Sequence, residues 1–102
     1  MSKVQDGVQE HYHYLVAHPG SWRQQLWLRD RHMTVGQLIA AMRANGMNAV
    51  EAAADFDLPL AQIEEAVAYY QQHRDLVDAE LRAEKEYLRE KGYPVEPSSL
   101  PR

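Results

Sequence analysis

The sequence predicts a mainly helical fold: a short N-terminal β-ribbon, then a three-helix, helix-turn-helix unit whose last helix is long and extended. Three observations lead there. Residues 22–35, WRQQLWLRDRHMTV, read as a ribbon, with Leu26 and Leu28 on one face and Trp27 on the other. Behind it, TVGQLIAAMRAN, NAVEAAADF and LAQIEEAVAYY place apolar residues at helical spacing. Two tight breaks, Asn45-Gly46 and Asp57-Leu58-Pro59, separate these segments, and a compact tri-helical unit with a tight turn before its last helix is the helix-turn-helix plan.

The elements follow in order. Residues 1–10 are polar and expected to fray as a flexible N-terminus. In HYHYLVA, alternation puts Tyr12, Tyr14 and Val16 on one side of a strand and His11, His13 and Leu15 on the other. His18-Pro19-Gly20-Ser21 is a turn, and Arg29-Asp30-Arg31 is the reversal of the ribbon. Thr34 and Gln37 make a capping box that starts the first helix, with Val35, Leu38, Ile39 and Met42 as its stripe and Gly46 as its left-handed stop. Asn48 and Glu51 repeat the cap for a short second helix, whose expected inner side is Val50, Ala53 and Ala54, with Phe56 plugging the core.

Pro59 suits the first turn of the third helix, and Ile63, Ala66, Val67 and Tyr70 form its inward stripe. No breaker follows until Gly92, so a continuous helix of about thirty residues, roughly 45 Å, is expected. Its second half carries a thin apolar seam, Val77, Leu81 and Leu88, among spaced charge pairs. The expected organisation is therefore a ribbon-plus-helices domain over 11–75, a helical extension over 76–91 and an extended proline-rich tail over 92–102.

Composition bounds the function. The chain has 102 residues, 45% of them hydrophobic and 25% charged, and a net charge of −4. That fits one ordinary globular domain. Without cysteine there is no disulfide, thiolate metal site or cysteine nucleophile. No apolar run approaches the ~18 residues of a membrane span. The opening MSKVQDGVQEHYHY lacks an apolar stretch behind Lys3, so no signal peptide and a cytoplasmic location are expected. The charge is lopsided: residues 21–43 carry Arg23, Arg29, Arg31 and Arg43 against Asp30, a balance of +3. Residues 51–96 carry twelve acids against five bases, a balance of −7.

The four arginines are the candidate phosphate contacts, and Gln62, early in the third helix, is the candidate base reader. Against this, Glu64 and Glu65 beside Gln62 would repel phosphate. Trp22, Trp27, Tyr12 and Tyr14 are either a dimer anchor or core under the first helix. The seam Val77, Leu81 and Leu88, with Tyr93, is the candidate surface for a protein partner. His11 and His13 with His18 or His32 do not define a metal site, because no carboxylate has convincing spacing. No nucleophile, phosphate loop or acidic dyad is legible, so neither an enzyme, a cofactor nor a small-molecule substrate is expected.

The stretch from His18-Pro19 through Ser21-Trp22-Arg23, Gln25-Leu26, Thr34-Val35-Gly36-Gln37-Leu38, Glu51-Ala52-Ala53, Phe56-Asp57-Leu58-Pro59, Ile63, Ala66, Tyr69-Tyr70 and Lys91-Gly92-Tyr93 resembles the bacterial domain-of-unknown-function family 433. The likeness covers about four fifths of the chain. It implies a homeodomain-like helix-turn-helix fold, often dimeric, and a VapB-type antitoxin-like role beside a PIN-like ribonuclease toxin. The helix-turn-helix end would hold operator DNA and the C-terminal part the toxin. One departure is that many members carry Gly-x-Arg at the ribbon tip, where this chain has Arg29-Asp30-Arg31. The two functional expectations are an antitoxin-like, dimeric DNA-binding regulator and a protein-interaction module that never touches DNA.

Overall fold

The computed structural model describes residues 12–92. They form a two-stranded antiparallel ribbon, β1 (Leu15–Val16) and β2 (Trp27–Leu28), and four helices, α1 (Val35–Asn45), α2 (Ala49–Phe56), α3 (Leu60–Gln72) and α4 (Arg74–Glu90). The expected flexible N-terminus, His11, Tyr93 and the tail beyond Gly92 lie outside the described residues.

The ribbon is smaller than expected and buried on both faces. Leu15 pairs with Leu28 and Val16 with Trp27, and a single bridge joins Trp27 to Thr34 on the other side. Leu26, Trp27 and Leu28 are all buried, as is Leu15. The strict in-and-out alternation therefore fails: helices cover one face, and on the other Trp27 lies under His18, His32 and Arg23. The reversal sits where the sequence places it. Arg31 N donates to Leu28 O and Asp30 takes a left-handed φ of 65°, a conformation that Asp tolerates better than most residues.

Both capping boxes form. Thr34 and Gln37 bracket the start of α1, Asn48 and Glu51 the start of α2, and Gly46 ends α1 in the left-handed region. The inner side of α2 differs from the expected one. Ala52 is fully buried, Ala49, Ala53 and Phe56 are half-buried, and Val50 is 65% exposed with Ala54 also outside. Glu51 and Asp55 take the solvent side, and the face turned inward is the one with the small residues Ala49, Ala52 and Ala53, which lets α2 approach α3 closely.

The α2–α3 connection is the short turn at 57–59. Asp57 ends α2 at φ 57°, and the Arg31 guanidinium donates to Phe56 O at 3.2 Å and Asp57 O at 2.9 Å, satisfying carbonyls that the helix end leaves open. Glycine accepts this backbone conformation with no Cβ penalty. Asp57→Gly is therefore expected to stabilise the fold by about 0.5 kcal/mol. A rise in the urea midpoint at unchanged m-value is the check.

The long third helix is not continuous. It breaks at His73, whose φ of −126° and ψ of 36° leave the helical region, and α4 folds back against α1 and α3. The seam that sequence assigns to a projecting helix is thus partly core: Val77 is fully buried and Leu81 packs on the same cluster. The first two turns of α4 accordingly share one core with the ribbon and the other helices. That core joins Leu15, Leu26, Leu28, Val35, Leu38, Ile63, Ala66, Tyr69, Tyr70 and Val77. A single buried Leu-sized side chain there contributes roughly 1.5–3 kcal/mol.

Candidate interaction surfaces

The arginines expected to hold phosphate are each committed to the chain itself. Arg23 pairs with Glu84 of α4 and lies over the rings of Trp22 and Trp27. Arg29 donates through Nε to His13 O at 2.7 Å. Arg31 caps α2. Arg43 donates to the Tyr70 hydroxyl at 2.7 Å, and that hydroxyl donates to Asp78 at 2.8 Å. Arg29 and Arg31 flank the ribbon reversal, Arg23 packs against α4 through Glu84, and Arg43 lies in the last turn of α1.

Gln62 is a correction. Expected as an exposed base reader, it is 3% exposed. Its amide nitrogen donates to Tyr14 O at 3.0 Å and Arg29 O at 3.3 Å, tying α3 to the ribbon. Its neighbour Glu65 also turns inward, accepting from His13 N at 2.9 Å and Tyr14 N at 2.7 Å. What α2 and α3 leave outside is acidic and neutral: Glu51, Asp55, Asp57, Glu64, Ala61 and Ala68 are exposed. No lysine or arginine lies between Arg43 and Arg74. A helix entering a DNA groove needs cationic support that this face lacks.

The aromatic cluster divides. Trp27 is 4% exposed, stacked with His18 at 4.4 Å and flanked by His32 at 5.3 Å, so it is core rather than a dimer anchor. Tyr12 is half-buried and meets Tyr69 edge-on at 5.6 Å. Burial is the main cause that pushes the Tyr69 phenol above its ordinary value of 10.0; Leu26 N donates to its oxygen and opposes the shift. Tyr69 is thus a neutral structural hydroxyl, and Tyr14 is half-buried on Gln62 and Glu65. Trp22 alone of the four stands out, 53% exposed. Among the described residues no three His, Asp or Glu side chains gather as a metal site.

Trp22 borders an open, largely apolar surface. With Ala83, Tyr87 and Leu88 of the distal half of α4, and with Gln37 and the Arg23–Glu84 pair, it walls an open concavity of about 660 Å³. Tyr87 is 58% and Leu88 37% exposed. Leu88 belongs to the expected partner surface; Tyr87 and Ala83 were missed. Their signal was present, since they lie four apart on one helix face, but only the fold-back of α4 brings that face to Trp22. Lys91 lies over the Tyr87 ring at 5.5 Å.

The class defined by this geometry is a mainly helical protein with a short N-terminal ribbon and no helix long and apolar enough to cross a membrane among the described residues. No family model matches this chain, and no curated protein or solved structure matches it significantly.

Proposed function

We propose that the protein is an interaction module of the antitoxin-like kind, as its resemblance to family 433 implies, and that it holds a partner protein on the shelf formed by Trp22, Ala83, Tyr87 and Leu88. The observation that carries this reading is the exposure of two large aromatic rings and a leucine around one concavity. Exposed apolar patches of this kind mark contact sites, and Trp and Tyr are enriched among residues that dominate binding energy. The expected partner is a PIN-like ribonuclease encoded next to this chain, inhibited by occlusion, with no bond chemistry on this side of the complex.

Co-expression with the product of the adjacent reading frame tests this. A complex should co-purify, and Trp22→Glu or Tyr87→Glu should weaken it by about 2 kcal/mol or more, roughly thirtyfold in Kd. Both side chains are more than half exposed, so the thermal midpoint of the free protein should hold. Failure to form a complex, or unchanged affinity in both variants, overturns the proposal.

Operator DNA is a second reading, favoured by one observation. Arg29 and Arg31 are both exposed at the ribbon reversal, a tip of the shape that some β-ribbon proteins place in a groove. A gel shift on the upstream region at low salt, weakened by Arg29→Gln, would support it.

A further inference from the structure

The bend between α3 and α4 has no local cause in the sequence. Elsewhere the chain marks its helix ends clearly: capping boxes at Thr34 and Asn48, left-handed stops at Gly46 and Asp57. At His73 neither helix has a side-chain cap, and the residue is not left-handed. No glycine or proline lies between Pro59 and Gly92. The hydrogen-bond pattern almost runs through the break: His73 N donates to Tyr69 O at 2.9 Å, and Val77 N donates to His73 O at 3.0 Å. Local propensity therefore favours one continuous helix, and one residue departs from it.

Two contacts across the hinge and docking at a distance hold the bend. The His73 ring stacks on Tyr69 at 4.3 Å, and Tyr70 donates to Asp78. Val77 fills the space that Gly36 leaves. Glu80 accepts from Gln24 N at 2.6 Å, Gln25 N at 3.3 Å and Gln25 Nε2 at 2.9 Å. Glu84 pairs with Arg23. The receiving surface on the ribbon and α1 is thus specific: a notch at Gly36, three donors for a carboxylate one turn on, and a guanidinium one further turn along.

We propose that α4 is a releasable strap. On release, α3 and α4 straighten through His73 into one helix, and the notch at Gly36 takes the α4 of a second copy, giving a strand-for-strand exchanged dimer in helical form. The second copy is the occupant because its α4 carries the required pattern, Val77, Glu80 and Glu84, with charge complementary to Arg23. Exchange of an identical element between copies is a low-cost route to dimers. This inference does not depend on the partner shelf or on the proposed function.

Two experiments on the full chain test it. His73→Ala removes the Tyr69 stack and favours the straight form by about threefold per hinge, so the dimer, with two hinges, should tighten about tenfold. Light scattering behind size exclusion across a concentration series reads this, with a gain in helical signal in the far ultraviolet. His73→Gly should move the equilibrium the opposite way. Second, Arg23→Glu and Glu84→Arg copies, each weakened alone, should form a one-to-one heterodimer on mixing, because exchange restores both charge pairs. An unchanged dimerisation constant in His73→Ala, or no heterodimer from the charge-reversed pair, overturns the proposal. A dimer joined through Trp22 and Tyr87 would give the first of those results, an unchanged constant in His73→Ala.

Discussion

Replacing Glu80 with alanine is expected to cost about 3–4 kcal/mol, a large part of the stability of a domain this size. The side chain is 7% exposed, and its two oxygens accept from Gln24 N, Gln25 N and Gln25 Nε2. Gln25, 1% exposed, relays the contact: its own oxygen accepts from Gly36 N at 2.6 Å. One carboxylate therefore terminates a chain of polar groups that joins α4, the approach to β2 and the first turn of α1. Removing it leaves the Gln24 amide and two buried donors of Gln25 without that partner, at about 1–3 kcal/mol for each buried one, part of which relaxation recovers. Breaking one side of a buried charged contact costs more than the contact is worth net. Glu80→Gln keeps the shape and one acceptor, so it should lose less than the alanine variant. Urea unfolding gives the free energies. Amide exchange should speed up first at Gln24, Gln25 and Gly36. A loss under about 1 kcal/mol for Glu80→Ala would mean that the carboxylate behaves as a surface group and does not pin α4.

How far the sequence could be read follows from where each signal lives. The starts of α1 and α2 are legible because a capping box is local chemistry: Thr34 with Gln37 and Asn48 with Glu51 bond each other within one turn. Gly46 is legible for the same reason. The break at His73 is not, because its causes, Gly36, Gln24, Gln25 and Arg23, lie 37 to 50 positions earlier in the chain. Gln62 was misplaced for a related reason. Polarity suggests exposure, but a buried amide is stable when its donors are used, and here two ribbon carbonyls use them. The rotation of α2 was ambiguous because its four alanines and Val50 leave more than one apolar face beside Glu51 and Asp55. Of the candidate contact residues, Trp22 and Leu88 remain at the surface, whereas Val77 and Trp27 are core. Arg23, Arg29, Arg31 and Arg43 are legible as a group in sequence but take separate partners in the fold, since a run of 21 residues here spans β2, the reversal and most of α1.

Gly36→Ala sets two effects of opposite sign against each other. In an open helix the change would stabilise by about 1 kcal/mol, since alanine orders more readily than glycine. Here the added Cβ would lie 2.9 Å from Gln25 Oε1, 2.9 Å from Val77 Cγ1 and 3.2 Å from Leu81 Cγ. None of these neighbours gives way easily. Gln25 Oε1 is held by the amide of Gly36 itself, and Val77 is fully buried on the helix that Glu80 anchors. Relief requires α4 to move outward, which loosens the Glu80 contacts with it. Overpacking of this kind costs about 1–3 kcal/mol before any gain in propensity, so a net loss of about 1–2 kcal/mol is expected. The double variant Gly36→Ala, Val77→Ala isolates the cause. If the clash with Val77 is what destabilises, the two losses should fall short of additivity by about 1 kcal/mol, because the smaller side chain makes room for the new methyl group. Additive losses would place the strain at Gln25 instead. A stabilised Gly36→Ala would mean that α4 does not press on α1 as closely as these distances require.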